Sequence, residues 1–334
     1  MAKNKNLVEG TKIIELININ CGHKFQIKEL KDVLLLLKIL RDDSLKGDGT
    51  GLFIKKEHRI YEHFPFGLWF RGESDHIEPL VPSAFRKQNG GKYLKESGIM
   101  WDVGRKIVEC AEIENHFERL CMAQHYLVPT RLLDWTENIL IALFFAVSGE
   151  EKSDKKLFVL NSFSLNQATG WNEGKYSIYD NTDYGTIFRA LMAFSVSSEH
   201  WKDKIRRVHP EWDWKIHDKF KEKEKEKESH SIASYFTSPI ATAAVWRHDR
   251  MKAQSSVFTL HGGSFSWKEQ ETVYPEPIKQ CYGNIITYLD FTIPEYCVKQ
   301  IKDDLLLLGI HEGTVFPEVD KQRKYFESIW MYKG

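Results

Sequence analysis

Phe70, Arg71 and Gly72 set a guanidinium at the end of the apolar run Leu68–Trp69–Phe70, directly beside a residue with no side chain. A guanidinium held in place offers paired donors to phosphate or hydroxyl groups, and the glycine lets a ligand or a neighbouring backbone approach closely. The structural alternative for Arg71 is an ion pair with Asp75 or Asp134. Farther on, Asp134, Trp135 and Thr136 stand where a strand runs into a helix. The first turn of such a helix presents unpaired amides and a partial positive charge to an anion, and Trp135 offers a ring for stacking. The structural counterparts are a Thr136 that only caps the helix and a Trp135 that only packs the core. Asp134 either orients a ligand or pairs with Arg131 or Arg71. Gln124 and His125 precede the break at Pro129, where a neutral imidazole can donate or accept and a structural hydrogen bond is its simplest use. Gln254 supplies hydrogen bonds without charge.

The composition removes several function classes. Lys plus Arg equals Asp plus Glu at 47 each, so no global field marks a nucleic-acid or membrane partner and any basic site is local. No phosphate-binding Gly-rich loop ending in Gly-Lys-Ser/Thr, no His-Glu-x-x-His run and no Gly-x-Ser-x-Gly elbow occurs. The 13 histidines are dispersed and the five cysteines widely spaced, which argues against a metal centre and a disulfide framework. No metal is expected, and the thiols are expected reduced and mostly buried. With no apolar run of signal or membrane-spanning length, the chain reads as cytoplasmic.

Positioning these side chains needs a folded core, and the apolar share of 42% with ten Trp is enough for one. Periodicity predicts a strand over 12–20, a helix over 27–40, and a short strand over 68–72 ending at a Gly turn. A helical pattern covers 103–126, a strand 130–135, a buried helix 139–147 begun by Thr136 and Glu137, and a strand 157–161. Residues 201–228, ending in four Lys-Glu pairs, read as a solvated helix or flexible excursion. Then follow a helix over 240–247, a charged turn over 248–252, strands over 256–260 and 285–293, and a helix over 298–308 ending near Gly309. This divides the chain into an accessory segment 1–60, a main domain 61–325 with a charged insertion about 200–230, and a tail 326–334.

Four blocks occur in one order across most of residues 65–325. They are Leu68–Asp75 with Leu80–Ser83 and Arg86; Ala123–Tyr126 with Val128–Thr136; Arg250–Gln254 with Val257–Thr259; and Leu308–Ile310 through Thr314, Phe316, Pro317 and Asp320. This series resembles the FRG domain, a module named for its Phe-Arg-Gly tripeptide; in the third block Ser255–Ser256 stand where that family usually has a Gly. The order of elements is in turn similar to the split-sheet core of ADP-ribosyltransferases, an analogy at the level of fold. The implied class is α+β, with a split mixed or antiparallel sheet and surrounding helices.

The resemblance implies NAD as substrate. Cleaving its nicotinamide bond makes an oxocarbenium-like ribose and a neutral leaving group, so orientation and electrostatic help matter more than an acid. On that reading Arg71, Gln254 and Asp134 are the catalytic candidates, and Arg71, Gly72, Arg131, Trp135, Thr136 and His125 hold the cofactor. A late-strand Glu usually meets the ribose in such enzymes; Gln254 is a poorer partner for a cation, so Glu73 or Asp134 would supply the charge. The acceptor would be RNA, DNA or protein, with Lys202, Lys204, Arg206 and Arg207 among aromatics as a surface for single strands. A bacterial toxin or anti-phage role would imply an antitoxin partner. A non-catalytic module that binds a nucleotide or peptide, and NAD hydrolysis without an acceptor, are the competing readings.

Overall fold

The computed structural model describes residues 25–44, 53, 59–61, 64–65, 67–74, 80–86, 96–150, 152–169, 238–262, 264–265, 273–274, 277–283 and 285–330. The expected strand over 12–20 and the charged excursion over 201–228 lie outside the described residues. Six strands make the main sheet: β1 (Leu68–Glu73), β2 (Leu132–Thr136), β3 (Lys155–Asn161), β4 (Ile240–Thr242), β5 (Ser256–Leu260) and β6 (Tyr288–Ile293). Their order is β6-β3-β1-β2-β5-β4, and every neighbouring pair is antiparallel. With helices around this sheet the chain is α+β.

The sheet is pinched at its centre. β1 and β3 pair over six residues and β2 and β5 over five, whereas β1 and β2 meet only at Phe70 and Thr136. Two three-stranded halves are thus joined by one rung, and backbone groups on either side of it need other partners.

Alternation along the strands gives the sheet two distinct faces. One face is covered by helices. Phe70, Leu157, Val159, Leu289 and Phe291 pack with α1 (Leu30–Ser44), α4 (Ile139–Val147) and α7 (Val298–Leu307), while Leu132, Phe258 and Leu260 pack with α2 (Glu96–Lys106) and α3 (His116–His125). The opposite face carries Trp69, Leu133, Trp135, Phe158, Leu160 and Val257 under Leu165 of α5 (Ser162–Thr169). Gly72 belongs to the helix side: a Cβ there would lie 1.8 Å from the Ala142 carbonyl oxygen and 2.5 Å from the Ala146 nitrogen. Its missing side chain admits the backbone of α4.

Several boundaries differ from expectation. β1 runs through Gly72 to Glu73 rather than turning there. The pattern over 103–126 is three helices, interrupted at Ile107 and again at Asn115, whose side chain accepts from the Phe117 and Glu118 amides and starts α3. Thr136 closes β2, and Asn138 is the cap of α4, accepting from the Leu140 amide. Residues 240–247 are not a helix: Ile240–Thr242 is the edge strand β4, and the helical turn α6 occupies Asp249–Ala253. The strand over 285–293 is two pieces, Ile285–Ile286 and β6. α7 ends at Leu307, followed by Gly309 at φ +76° in the left-handed region open to glycine. Two further helices, α8 (Glu312–Val315) and α9 (Val319–Trp330), end the described chain. Cys110, Cys121 and Cys297 are buried free thiols and Cys281 is half-buried. Among the described residues no helix is long and apolar enough to cross a membrane.

Candidate functional site

Arg71 stands at the pinch. Being next to Phe70 on β1, its side chain points to the face opposite the helices, where Nε donates to Glu73 Oε1 at 2.9 Å. Its Nη1 donates to the Asp134 carbonyl at 2.7 Å, so the guanidinium replaces a rung the sheet lacks where β1 and β2 part. Nη2 makes no bond among the described residues, and the side chain keeps 17% of its surface exposed. Arg71 therefore commits one edge to the sheet and leaves Nη2 without a bond among the described residues.

Beside it the sheet surface turns polar. Arg71 lies opposite Phe158, which lies opposite Asp290; Glu73 lies opposite Lys156. Lys156 Nζ is 2.8 Å from Asp290 Oδ2, with both side chains partly exposed. One row over, Tyr288 packs edge-on against Phe158 at 5.8 Å between ring centres. Burial, with Asp290, Cys281 and Glu73 nearby, pushes the Tyr288 hydroxyl up to about 12, which keeps it a proton donor.

The other candidate residues fall elsewhere. Arg131 is fully buried: Nε and Nη2 bond the Glu96 carboxylate, Nη1 donates to the His261 carbonyl, and the guanidinium lies over the Phe85 ring. It has no surface to offer a ligand and ties α2 to the sheet. Trp135 is 3% exposed, with Nε1 donating to Thr259 Oγ1, so its ring is core rather than a stacking wall. Thr136 is likewise buried, donating to the Gln254 carbonyl and accepting from the Asn138 amide.

Asp134 directs its carboxylate to the helix side, where Gln124 Nε2 donates to it at 2.9 Å, and Thr130 Oγ1 donates to Gln124 Oε1. The block from Ala123 to Thr136 is thus a bracket that closes the Pro129 loop. His125 stacks on His248 at 4.3 Å, and burial, then His248 and Arg250, hold its pKa below the ordinary value. Gln254 Nε2 donates to the Val315 carbonyl, while Arg250 sits over Phe316 and faces Glu318. The third and fourth sequence blocks clasp each other in this way.

Among the described residues Arg71 and Gln254 are linked through β2, by the Asp134 carbonyl on one side and the Thr136 hydroxyl on the Gln254 carbonyl on the other. Sequence reasoning did not single out Lys156, Tyr288 or Asp290, because their place beside Arg71 arises from the β6-β3-β1 order alone. Among the described residues no three His, Cys, Asp or Glu side chains gather as a metal site.

No curated protein and no solved structure matches this chain. Residues 67–155 match the family model of the FRG domain, a span holding β1, β2 and the Arg71 and Asp134 bracket, with β5 and β6 of the same sheet beyond it. The chain carries an FRG domain over residues 67–155.

Proposed function

We propose that the protein is an NAD-dependent ADP-ribosyltransferase that modifies a macromolecule. The observation that carries this reading is the adjacency of β1, β2 and β5 at a pinched sheet. Those three strands are the ones to which the transferase analogy gives its cation, its strand-to-helix corner and its late polar residue. An Arg71–Glu73 pair stands at the parting of β1 and β2, mostly buried, with 17% and 10% of the two side chains exposed.

The residues suit the substrate. Arg71 Nη2 is available to a pyrophosphate or ribose oxygen, and a bidentate guanidinium contact fixes such a group in orientation as well as in place. Glu73, rather than Gln254 or Asp134, is the carboxylate beside that guanidinium. As the C1′–N bond breaks, its electron pair leaves on nicotinamide and positive charge grows on the ribose, where Glu73 stabilises it. A nucleophilic oxygen or nitrogen of the acceptor then attacks C1′, and its proton passes to solvent.

Labelled NAD, incubated with the protein and a cell lysate, tests this in the protein, RNA and DNA fractions. Glu73→Gln keeps the shape of the site and removes the charge, so transfer falls by about a hundredfold or more while NAD binding survives. Arg71→Ala loses binding and transfer together. Release of free ADP-ribose with no labelled acceptor would indicate hydrolysis instead. A second reading, a binding module without catalysis, draws on the engagement of Arg71 by Glu73 and the Asp134 carbonyl, and predicts no NAD loss.

A further inference from the structure

The carbonyl that receives Arg71 gets no bond from β5. β2 and β5 keep one register, and two bonds just outside their ladder, from the Glu137 amide to the Ser255 carbonyl and from the His261 amide to the Arg131 carbonyl, fix which pairs are bonded. Bonded and unbonded pairs alternate in an antiparallel ladder, so Leu133 and Trp135 exchange bonds with β5 while Asp134 turns its amide and carbonyl away, toward β1. There the Asp134 carbonyl meets the Arg71 guanidinium at 2.7 Å.

A directional chain of side chains holds Asp134 from the helix side. The Leu132 amide donates to the hydroxyl of Thr130, which is fully buried and donates in turn to Gln124 Oε1 at 2.6 Å. That bond fixes the sense of the Gln124 amide, whose Nε2 donates to Asp134 Oδ2 at 2.9 Å. Gln124 belongs to α3 and Arg71 to β1, and Asp134 is the residue both reach, by its carboxylate and by its carbonyl. Misplacing a reacting geometry by 1 Å can cost about a hundredfold in rate, so a ligand-holding guanidinium depends on the groups that aim it.

We infer that Gln124 is a positioning residue for Arg71, acting through Asp134: it fixes the strand residue whose carbonyl aims the guanidinium at its ligand. This rests on the NAD reading above and gives the Gln124–Asp134 bond a part in binding beyond closing the Pro129 loop. Gln124→Glu sets two carboxylates against each other at that bond and loosens Asp134. Adding Asp134→Asn restores a donor and an acceptor there in the opposite sense, with the Thr130 donation kept.

Two measurements test the inference, with thermal unfolding alongside: calorimetric titration of NAD, and the Arg71 guanidinium signals in nitrogen-edited NMR spectra, identified by their absence in Arg71→Ala. Gln124→Glu is expected to shift the Arg71 signals and lower NAD affinity about five- to tenfold, and the addition of Asp134→Asn to return both toward wild type. Gln124→Met, which removes the bond without adding charge, gives the same comparison if the acidic variant does not fold. Wild-type signals or wild-type affinity in a folded Gln124 variant, with only the unfolding midpoint lowered, overturn the assignment and leave Gln124 a loop staple. A loss that Asp134→Asn fails to restore overturns it as well. No NAD binding by the wild type overturns the NAD reading, and the Arg71 signals alone then decide the Gln124 assignment.

Discussion

At the residue scale, the Phe-Arg-Gly tripeptide divides its work between the two faces of one strand. Phe70 joins the helix-side core, Arg71 points to the opposite face, and Gly72 yields its space to α4. Gly72→Ala forces a methyl group into the Ala142 carbonyl and the Ala146 amide, which are backbone and cannot swing away. It is expected to destabilise the protein by about 3 kcal/mol, read from denaturant unfolding; a wild-type midpoint would mean that α4 is not seated on β1. Arg131 gives a contrasting case, because its guanidinium is enclosed with Glu96. Arg131→Met leaves a buried carboxylate without its cation and costs about 3–5 kcal/mol, and adding Glu96→Leu restores most of that stability. Lost NAD binding with unchanged stability would instead put Arg131 in the site. The sequence marks both arginines as special and cannot separate them, since a ligand clamp and a buried ion pair ask for the same residue type.

At the element scale, the sequence was most legible where one local signal dominated. The apolar stretch Ile139–Val147 is helix and Ser256–Leu260 is strand, with the expected bounds. Legibility failed over 240–247, where Ala-rich composition suggests helix but Ile240–Thr242 pairs with β5 as an edge strand. Tertiary pairing overrode local propensity there. The turn before β5 shows the converse. Ser255 takes φ +46°, in the left-handed region that a side chain disfavours. Its carbonyl accepts from the Glu137 amide and its own amide donates to the Lys252 carbonyl, so the surroundings impose the turn. Ser255→Gly relieves the strain and should stabilise by about 1 kcal/mol, visible as a raised unfolding midpoint. A lowered midpoint would show that the serine side chain matters more than its backbone.

At the scale of the whole molecule, the β6-β3-β1-β2-β5-β4 order brings together residues far apart in the chain. Local patterns cannot report such an order, so Arg71 was legible and its neighbours across the sheet, Lys156, Tyr288 and Asp290, were not. The same order bears on what counts as the folding unit. Residues 67–155 contain β1 and β2, which share a single rung, while their long partners β3 and β5 lie almost wholly outside. An isolated 67–155 fragment is therefore expected to lack cooperative unfolding and a dispersed amide spectrum, whereas the full chain shows both. A folded fragment would refute the view that the sheet is one unit.

Cleavage of NAD at the Arg71–Glu73 pair is the central proposal. The most direct measurement follows labelled NAD into macromolecules with the wild type and with Glu73→Gln, in protein shown to be folded. The expected result is label in one macromolecular class with the wild type and its near disappearance in Glu73→Gln, with NAD still bound. Intact NAD and no label with the wild type, or equal transfer by both proteins, would contradict it.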